Sequence, residues 1–285
     1  MGVTRIIPPW EAMVGSGTVF VEVWKVALLL ALIILIWKLS TSYFKRLEWT
    51  AENYQKRRVP YSLGVILLAA AIMSLFLGAS TTFVLYIITI WLAGWIDDFF
   101  GSSFPKGIRG HMMYFVQRGE WTTGLMKIIF TSAAALFVVV SEVDLILGWE
   151  SIISLFIFVL SPHVTNILDT RPLRVWKWTS CHFLIYFIMI PSLHGGEVIV
   201  FVLAMMTIWW YIEKTKQAML GDNGAALVGG IIAWFGFSTL PFIVKIVMVL
   251  LYTVLTLMAE RISFHEKIQQ SRLLKWIDQW GWKEI

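Results

Sequence analysis

The chain has 285 residues, 58% of them hydrophobic and 14% charged, with a net charge of +5 and a mean hydropathy of +0.75. Soluble domains carry about 25% charged residues, so the composition excludes a soluble globular enzyme and describes an integral membrane protein. The positive charge is not gathered into a soluble basic domain, which excludes a nucleic-acid binder and makes the charge a topology signal.

Nine apolar runs, each long enough to span most or all of a bilayer as a helix, fall at about 19–38, 61–79, 80–97, 124–141, 147–163, 179–193, 196–212, 223–239 and 241–259. Met1 to Gly17 lacks the short apolar core and small-residue site of a cleavable signal. The first polar stretch, Thr41 to Arg58, mixes aromatic and charged residues and reads as a short surface helix that breaks at Pro60. Cys181, the sole cysteine, excludes an internal disulfide and reads as a buried, inert packing residue. No internal repeat of the two-halved transporter kind is present. After the last run, Ile262, Ile268, Leu273, Leu274, Trp276 and Ile277 recur among charges, the pattern of one or two amphipathic interfacial helices. The expected fold is an all-α bundle, with residues 1–260 as one transmembrane catalytic domain and 261–285 as a cytoplasmic tail.

Basic residues set the orientation. Lys38, Lys45, Arg46 and Lys56 to Arg58 follow the first run; Lys106, Arg109 and Arg118 the third; Arg171, Arg174 and Lys177 the fifth; Lys214 and Lys216 the seventh. The intervening loops carry Glu142, Asp144, Glu150 and Glu197. The positive-inside rule puts the amino terminus outside and the tail in the cytoplasm of a multi-pass cell-membrane protein.

Four groups of polar residues then share the cytoplasmic side. Asp97 and Asp98 end the third run between Gly94 and Gly101. Adjacent carboxylates repel and need a cation, a proton or a basic partner, and at the mouth of a membrane helix they are costly to place. Lys106, Arg109, His111, Arg118 and Lys127 alternate with glycines, which suits a loop closing over phosphate; headgroup binding by single arginines is the plainer reading. Asn166 and Asp169 lie three apart, on one helical face, with Arg171 and Pro172 after them. Gly221-Asp222-Asn223-Gly224 opens the eighth run, where Asp222 reads either as a helix cap or as a metal ligand. A donor set of Asp, Asn, Lys and backbone oxygens, without clustered Cys or His, favours Mg²⁺ or Mn²⁺ over zinc.

Between about Arg57 and Gly230 the chain resembles the polyprenyl-phosphate N-acetylhexosamine-1-phosphate transferases, the family of phospho-MurNAc-pentapeptide translocase and the bacterial GlcNAc-1-phosphate transferases. Trp95-Ile96-Asp97-Asp98 is similar to its aspartate-pair motif, and Asn166-Ile167-Leu168-Asp169 to the start of its Asn-x-x-Asp-Gly-x-Asp-Gly motif. Gly221-Asp222-Asn223-Gly224 is similar to its Gly-Asp-x-Gly motif, and Arg58-Val59-Pro60 with Gly64 faintly to its first cytoplasmic loop. The likeness stops after Asp169, where Thr170-Arg171-Pro172-Leu173 replaces the second Asp and its glycines. The histidine-rich last cytoplasmic loop has no equivalent beyond His265.

The resemblance implies transfer of a sugar-1-phosphate from a UDP-sugar to a polyprenyl phosphate at the cytoplasmic face, with Mg²⁺ or Mn²⁺ as cofactor. By that likeness Asp222 is the principal metal ligand, and Asp97 helps to hold the metal or organise the site. Asp98 orients or deprotonates the lipid phosphate, and Asn166 and Asp169 position the nucleotide or the metal-bound phosphates. Lys106, Arg109, His111, Lys127, Arg171 and Asn223 contact substrate. A transporter, a catalytically inactive scaffold of the same family and a homodimer are alternatives left open.

Overall fold

A computed structural model describes residues 23–53, 55–102, 104–105, 107–142, 148–189 and 196–281. Among them the apolar runs become helices: α1 (Val23–Arg46), α2 (Leu63–Met73), α3 (Thr81–Phe100), α5 (Thr123–Glu142), α6 (Trp149–Leu168), α7 (Arg174–Met189), α8 (Glu197–Lys214), α9 (Gly221–Thr239) and α10 (Phe242–Ala259). Five of these, α1, α3, α5, α6 and α10, are long and apolar enough to cross a membrane. The short α4 (Gly107–Arg118), α11 (Phe264–Gln270) and α12 (Arg272–Gln279) complete the set.

The bundle is built around α9, which packs on α2, α3, α6 and α7. Its small residues make this possible, because in a membrane close backbone approach replaces the hydrophobic effect as the source of cohesion. A Cβ on Gly229 would stand 2.4 Å from the Pro162 Cα, and one on Gly94 of α3 would stand 2.7 Å from the Asn223 Cα. Pro162 lies inside α6 and has no N–H to give the Phe158 carbonyl four residues back. The Tyr86 hydroxyl of α3 donates to that carbonyl instead, at 2.9 Å. Ser161 donates across the same interface to the Gly229 carbonyl at 2.7 Å. A broken helix is tolerated at membrane depth when neighbours satisfy the freed group in this way.

Several local expectations need correction. The stretch after α1 is a β-hairpin, not a surface helix: β1 (Thr50–Glu52) pairs antiparallel with β2 (Arg58–Pro60). The Asn53 carboxamide oxygen accepts the backbone N–H groups of Gln55 and Arg57 at 2.9 and 3.0 Å, a side-chain-to-backbone closure that competes with helix. Trp49 then packs edge-on against Phe44 and Phe99, tying the hairpin to α3. Cys181 is exposed on the flank of α7, not buried. The tail does form two helices, α11 and α12, each opened by a serine cap, Ser263 and Ser271.

Candidate functional site

Four helices bring their polar ends to one end of the bundle: the last turn of α3, the start of α5, the last turn of α6 and the first turn of α9. That antiparallel alternation is what joins Asp97, Asp98, Lys127, Asn166, Asp222 and Asn223.

Asp98 has the most determined surroundings. Leu220, the residue before α9, provides no side-chain cap, which leaves the first N–H groups of that helix without intrahelical partners. Asp98 supplies them from α3: its Oδ1 accepts Asp222 N–H at 2.8 Å, and its Oδ2 accepts Asn223 N–H at 2.9 Å and Asn223 Nδ2 at 2.6 Å. A carboxylate at a helix amino terminus also meets the positive end of the dipole. The side chain expected to meet lipid phosphate is therefore engaged in holding the first turn of α9.

Asp97 and Asp222 converge instead on Lys127. Its ammonium donates to Asp222 Oδ2 at 2.6 Å and lies 3.5 Å from Asp97 Oδ2. Asn166 Nδ2 donates to the same Asp222 oxygen at 3.2 Å. Lys127 and Asp97 are only 15% and 21% exposed, and Asp222 is 38% exposed, so the cluster opens on the Asp222 side. The basic partner that the paired carboxylates require thus comes from the next membrane helix. Asp222 itself sits in the first turn and does not cap α9.

The donor set fits a hard divalent cation. Mg²⁺ sites commonly use one or two carboxylates and fill the remaining positions with water and substrate phosphate. Asp97 and Asp222 share one pole here, and the buried Asn166 Oδ1 has no hydrogen-bond partner among the described residues. Among those residues no group of three or more acidic, His or Cys side chains is placed to hold a metal, so any such ion would depend on amide, water and substrate oxygens. Lys127 occupies the same pole and would have to yield it.

The other expected residues separate from this cluster. Asp169 ends α6 and lines a neighbouring cleft of about 250 Å³ with Glu52, Thr170, Arg171, Glu213 and Lys216. Burial, then the nearby Glu213 and the Asp222 and Asp98 charges, push its carboxyl well above the usual carboxylate range. Arg171 donates to His265 Nε2 at 3.2 Å. The glycine-rich basic stretch is not a phosphate-cradling loop but helix α4, and a carboxylate sits at its amino terminus: Glu260 Oε1 accepts Ile108 N–H at 2.8 Å. Arg109 is exposed on α4, and His111 Nδ1 pairs with the Thr122 hydroxyl at 2.9 Å. Lys106 lies outside the described residues.

Three contacts went unread in the sequence. The Glu260 cap and the Asp278 partner of Arg174 lie more than a hundred residues from what they bind, so no local pattern marks them. Tyr61, ahead of α2, is the third: its ring and the Asp98 carboxylate crowd the same Gly221, where a Cβ would stand 3.1 and 2.9 Å from them. Burial, with the Asp98 and Asp222 charges, raises its hydroxyl pKa. Its position just after Arg58-Val59-Pro60 was the available signal.

A cavity of about 520 Å³ lies elsewhere, lined by Ser80, Phe83, Glu197, Phe201, Trp234 and Thr239 among others. Its polar rim at Ser80 is near the start of α3, about 25 Å along the helix from Asp97, so it is not part of the carboxylate site. No protein-family model, curated protein or solved structure matches the chain.

Proposed function

We propose that this chain is a polytopic membrane phosphoglycosyltransferase that moves a sugar-1-phosphate, an N-acetylhexosamine-1-phosphate in the first instance, from a UDP-sugar to a polyprenyl phosphate. The supporting observation is the convergence of Asp97, Lys127, Asn166 and Asp222 from four helices on one pole. Acid, amide and ammonium groups gathered at the end of apolar helices suit a polyanion presented by a membrane lipid. The nine-span arrangement, with this end in the cytoplasm of a cell membrane, belongs to the same proposal.

In the reaction an oxygen of the lipid phosphate attacks the β-phosphorus of the nucleotide sugar. A P–O bond forms there, the bond from β-phosphorus to the bridging oxygen breaks, and UMP leaves with that oxygen. Asp97, Asp222 and Asn166 Oδ1 would hold Mg²⁺ or Mn²⁺, whose chemistry when bound is to neutralise the diphosphate and stabilise the leaving group. Lys127, released from Asp222, turns its ammonium to a phosphate oxygen and balances charge as the bond breaks. Asp98 keeps Asp222 and Asn223 in place, a positioning role and not proton transfer. Asp169 and Arg171 line the neighbouring cleft of about 250 Å³, which would receive the nucleotide sugar.

The test is release of UMP from membranes supplied with undecaprenyl phosphate and a panel of UDP-sugars. Activity is expected with one donor and absent in Asp222→Asn. Full activity in that variant sinks the assignment; uptake of substrate without UMP release favours a transporter, and no binding of metal or any UDP-sugar favours an inactive scaffold.

A further inference from the structure

The carboxyl-terminal helix α12 is held to the bundle by one face and turns most of its apolar residues away from it; Leu274, four residues before Asp278, stays on the docked side. Asp278, its one buried residue, accepts from Arg174 Nε at 2.8 Å and from Arg174 Nη2 at 2.9 Å. That is the two-pronged geometry of a strong charge-assisted pair, and both side chains are under 10% exposed. Lys177 donates to the carbonyls of Ile277 and Asp278 at 2.8 and 2.7 Å, placing a cation on the carbonyl end of the helix, where Ile277 also accepts Trp280 N–H at 3.3 Å. The docked side is therefore unambiguous.

At about 100° per residue, the opposite side carries Leu273, Trp276, Ile277 and Trp280, spaced i, i+3, i+4, i+7. They are 64, 67, 43 and 60% exposed. An apolar stripe facing away from its own protein needs another partner. Arg272, four residues before Trp276, flanks the stripe, and Lys275, three before Asp278, lies between it and the docked side; both are exposed. Two tryptophans beside two cations is the composition of a helix at the headgroup level of a membrane. The docking points, at the start of α7, lie at the same end of the bundle as the carboxylate cluster.

We propose that α12 rests on the surface of the bilayer, its apolar stripe between acyl chains and Arg272 and Lys275 on anionic headgroups. Through Asp278 the lipid surface thereby braces the turn 169–174. That turn carries Asp169 and Arg171, so membrane composition reaches the cleft beside the carboxylate cluster. This interaction does not depend on the transferase reading and would hold for a scaffold with the same tail.

The test uses the full chain with Cys181→Ser as background and a nitroxide placed at Trp276→Cys or Lys275→Cys. Each is reconstituted in nanodiscs of phosphatidylcholine, with or without one third phosphatidylglycerol. The label at 276 is expected to be open to oxygen and shielded from a water-soluble nickel chelate, and the label at 275 the reverse. Amide exchange across 272–279 is expected to slow with the anionic lipid, by roughly fivefold for each basic residue engaged. In Asp278→Ala, exchange is expected to rise at 170–178 as well as in the tail. Equal nickel access at both labels overturns the proposal. So does short-range coupling between labels on two chains, which would assign the stripe to a second copy. Unchanged exchange at 170–178 in Asp278→Ala, with the tail released, overturns the bracing of the turn.

Discussion

Asp98→Asn isolates the role that the geometry gives this side chain. Asparagine keeps one acceptor oxygen and replaces the other with an amine. If the oxygen stays with the two Asn223 donors, Asp222 N–H meets a second donor and is left unsatisfied; the other rotamer leaves two donors facing the amine. An unsatisfied buried donor costs about 1–3 kcal/mol, and hydrogen bonds to a charged group are worth about 1.5–3 kcal/mol against about 1 for neutral ones. The substitution is expected to cost roughly 3–5 kcal/mol in all. For a chain of this size that is a fall of about 10 °C in Tm.

Asp97→Asn, one residue away, is the control. Asp97 lies 3.5 Å from Lys127, which keeps its 2.6 Å bond to Asp222, so neutralising Asp97 leaves no unpaired cation and is expected to cost about 1 kcal/mol or less. Differential scanning fluorimetry in detergent compares the two variants, and amide exchange over 221–226 locates the damage. Asp98→Asn should lower Tm and speed exchange there, whereas Asp97→Asn should do neither. An Asp98→Asn protein with native Tm and native exchange but no activity would refute the capping role and return the residue to direct contact with substrate.

Three further outcomes follow from the same contacts. Lys127→Met leaves Asp97 and Asp222 facing each other without a cation, a loss of about 1–3 kcal/mol after solvent screening. Manganese paramagnetic titration is expected to show tighter Mn²⁺ binding than in the parent chain, and unchanged affinity would mean that lysine and metal do not share a pole. Gly229→Ala forces a methyl against the Pro162 Cα and the Ser161 carbonyl, at 2.4 and 2.6 Å. Both contacts are backbone, so about 1–3 kcal/mol of overpacking is expected, read as lower Tm; a neutral result would mean that α6 and α9 can part freely. Asp169 has a folded-state pKa raised by burial from about 3.9 in the unfolded chain. Its contribution to stability is therefore complete below about pH 4 and is lost as pH rises through the folded value. Asp169→Asn should flatten that part of the pH profile and raise Tm at pH 8 relative to the parent, and an unchanged profile would count against a buried carboxyl.

Much of the helix pattern was legible because apolar periodicity and chain-breaking residues act locally. The third run, set at 80–97, becomes a helix over Thr81–Phe100, and the eighth, at 223–239, becomes Gly221–Thr239. The fifth, ended at 163 in sequence, continues to Leu168, with Tyr86 satisfying the carbonyl freed by Pro162 and so offsetting part of the cost of a proline inside the helix. The meeting of Asp97, Asn166, Lys127 and Asp222 was legible as a set of ends on one side. What each does there was not. Asp98 and Asp97 are neighbours of the same chemistry, and only the rotation of α3 about its axis decides that one faces the α9 amino terminus and the other Lys127. The helical state of 107–118 was hidden by its glycines, and its cap, Glu260, lies 152 residues away.

The segment where the family likeness fails is also the segment that holds the tail. In the resemblance, Thr170, Pro172 and Leu173 stand where the motif has its second aspartate and glycines, while Arg171 falls at a variable position and Arg174 just after the motif. In this fold Arg174 bonds the Thr170 hydroxyl and clasps Asp278, while Arg171 meets His265. Glycine at 170 would remove the hydroxyl that Arg174 bonds and glycine at 173 the buried Leu173 side chain, loosening the turn that presents Arg174 to Asp278 and increasing the entropy lost on ordering it. The departure is thus matched by partners elsewhere in the same chain, and the turn and tail form one unit. Replacing Thr170, Pro172 and Leu173 with that motif should consequently loosen the tail. Amide exchange at 272–279 rising in such a chimera, with the Lys127 cluster intact, is the outcome this coupling requires.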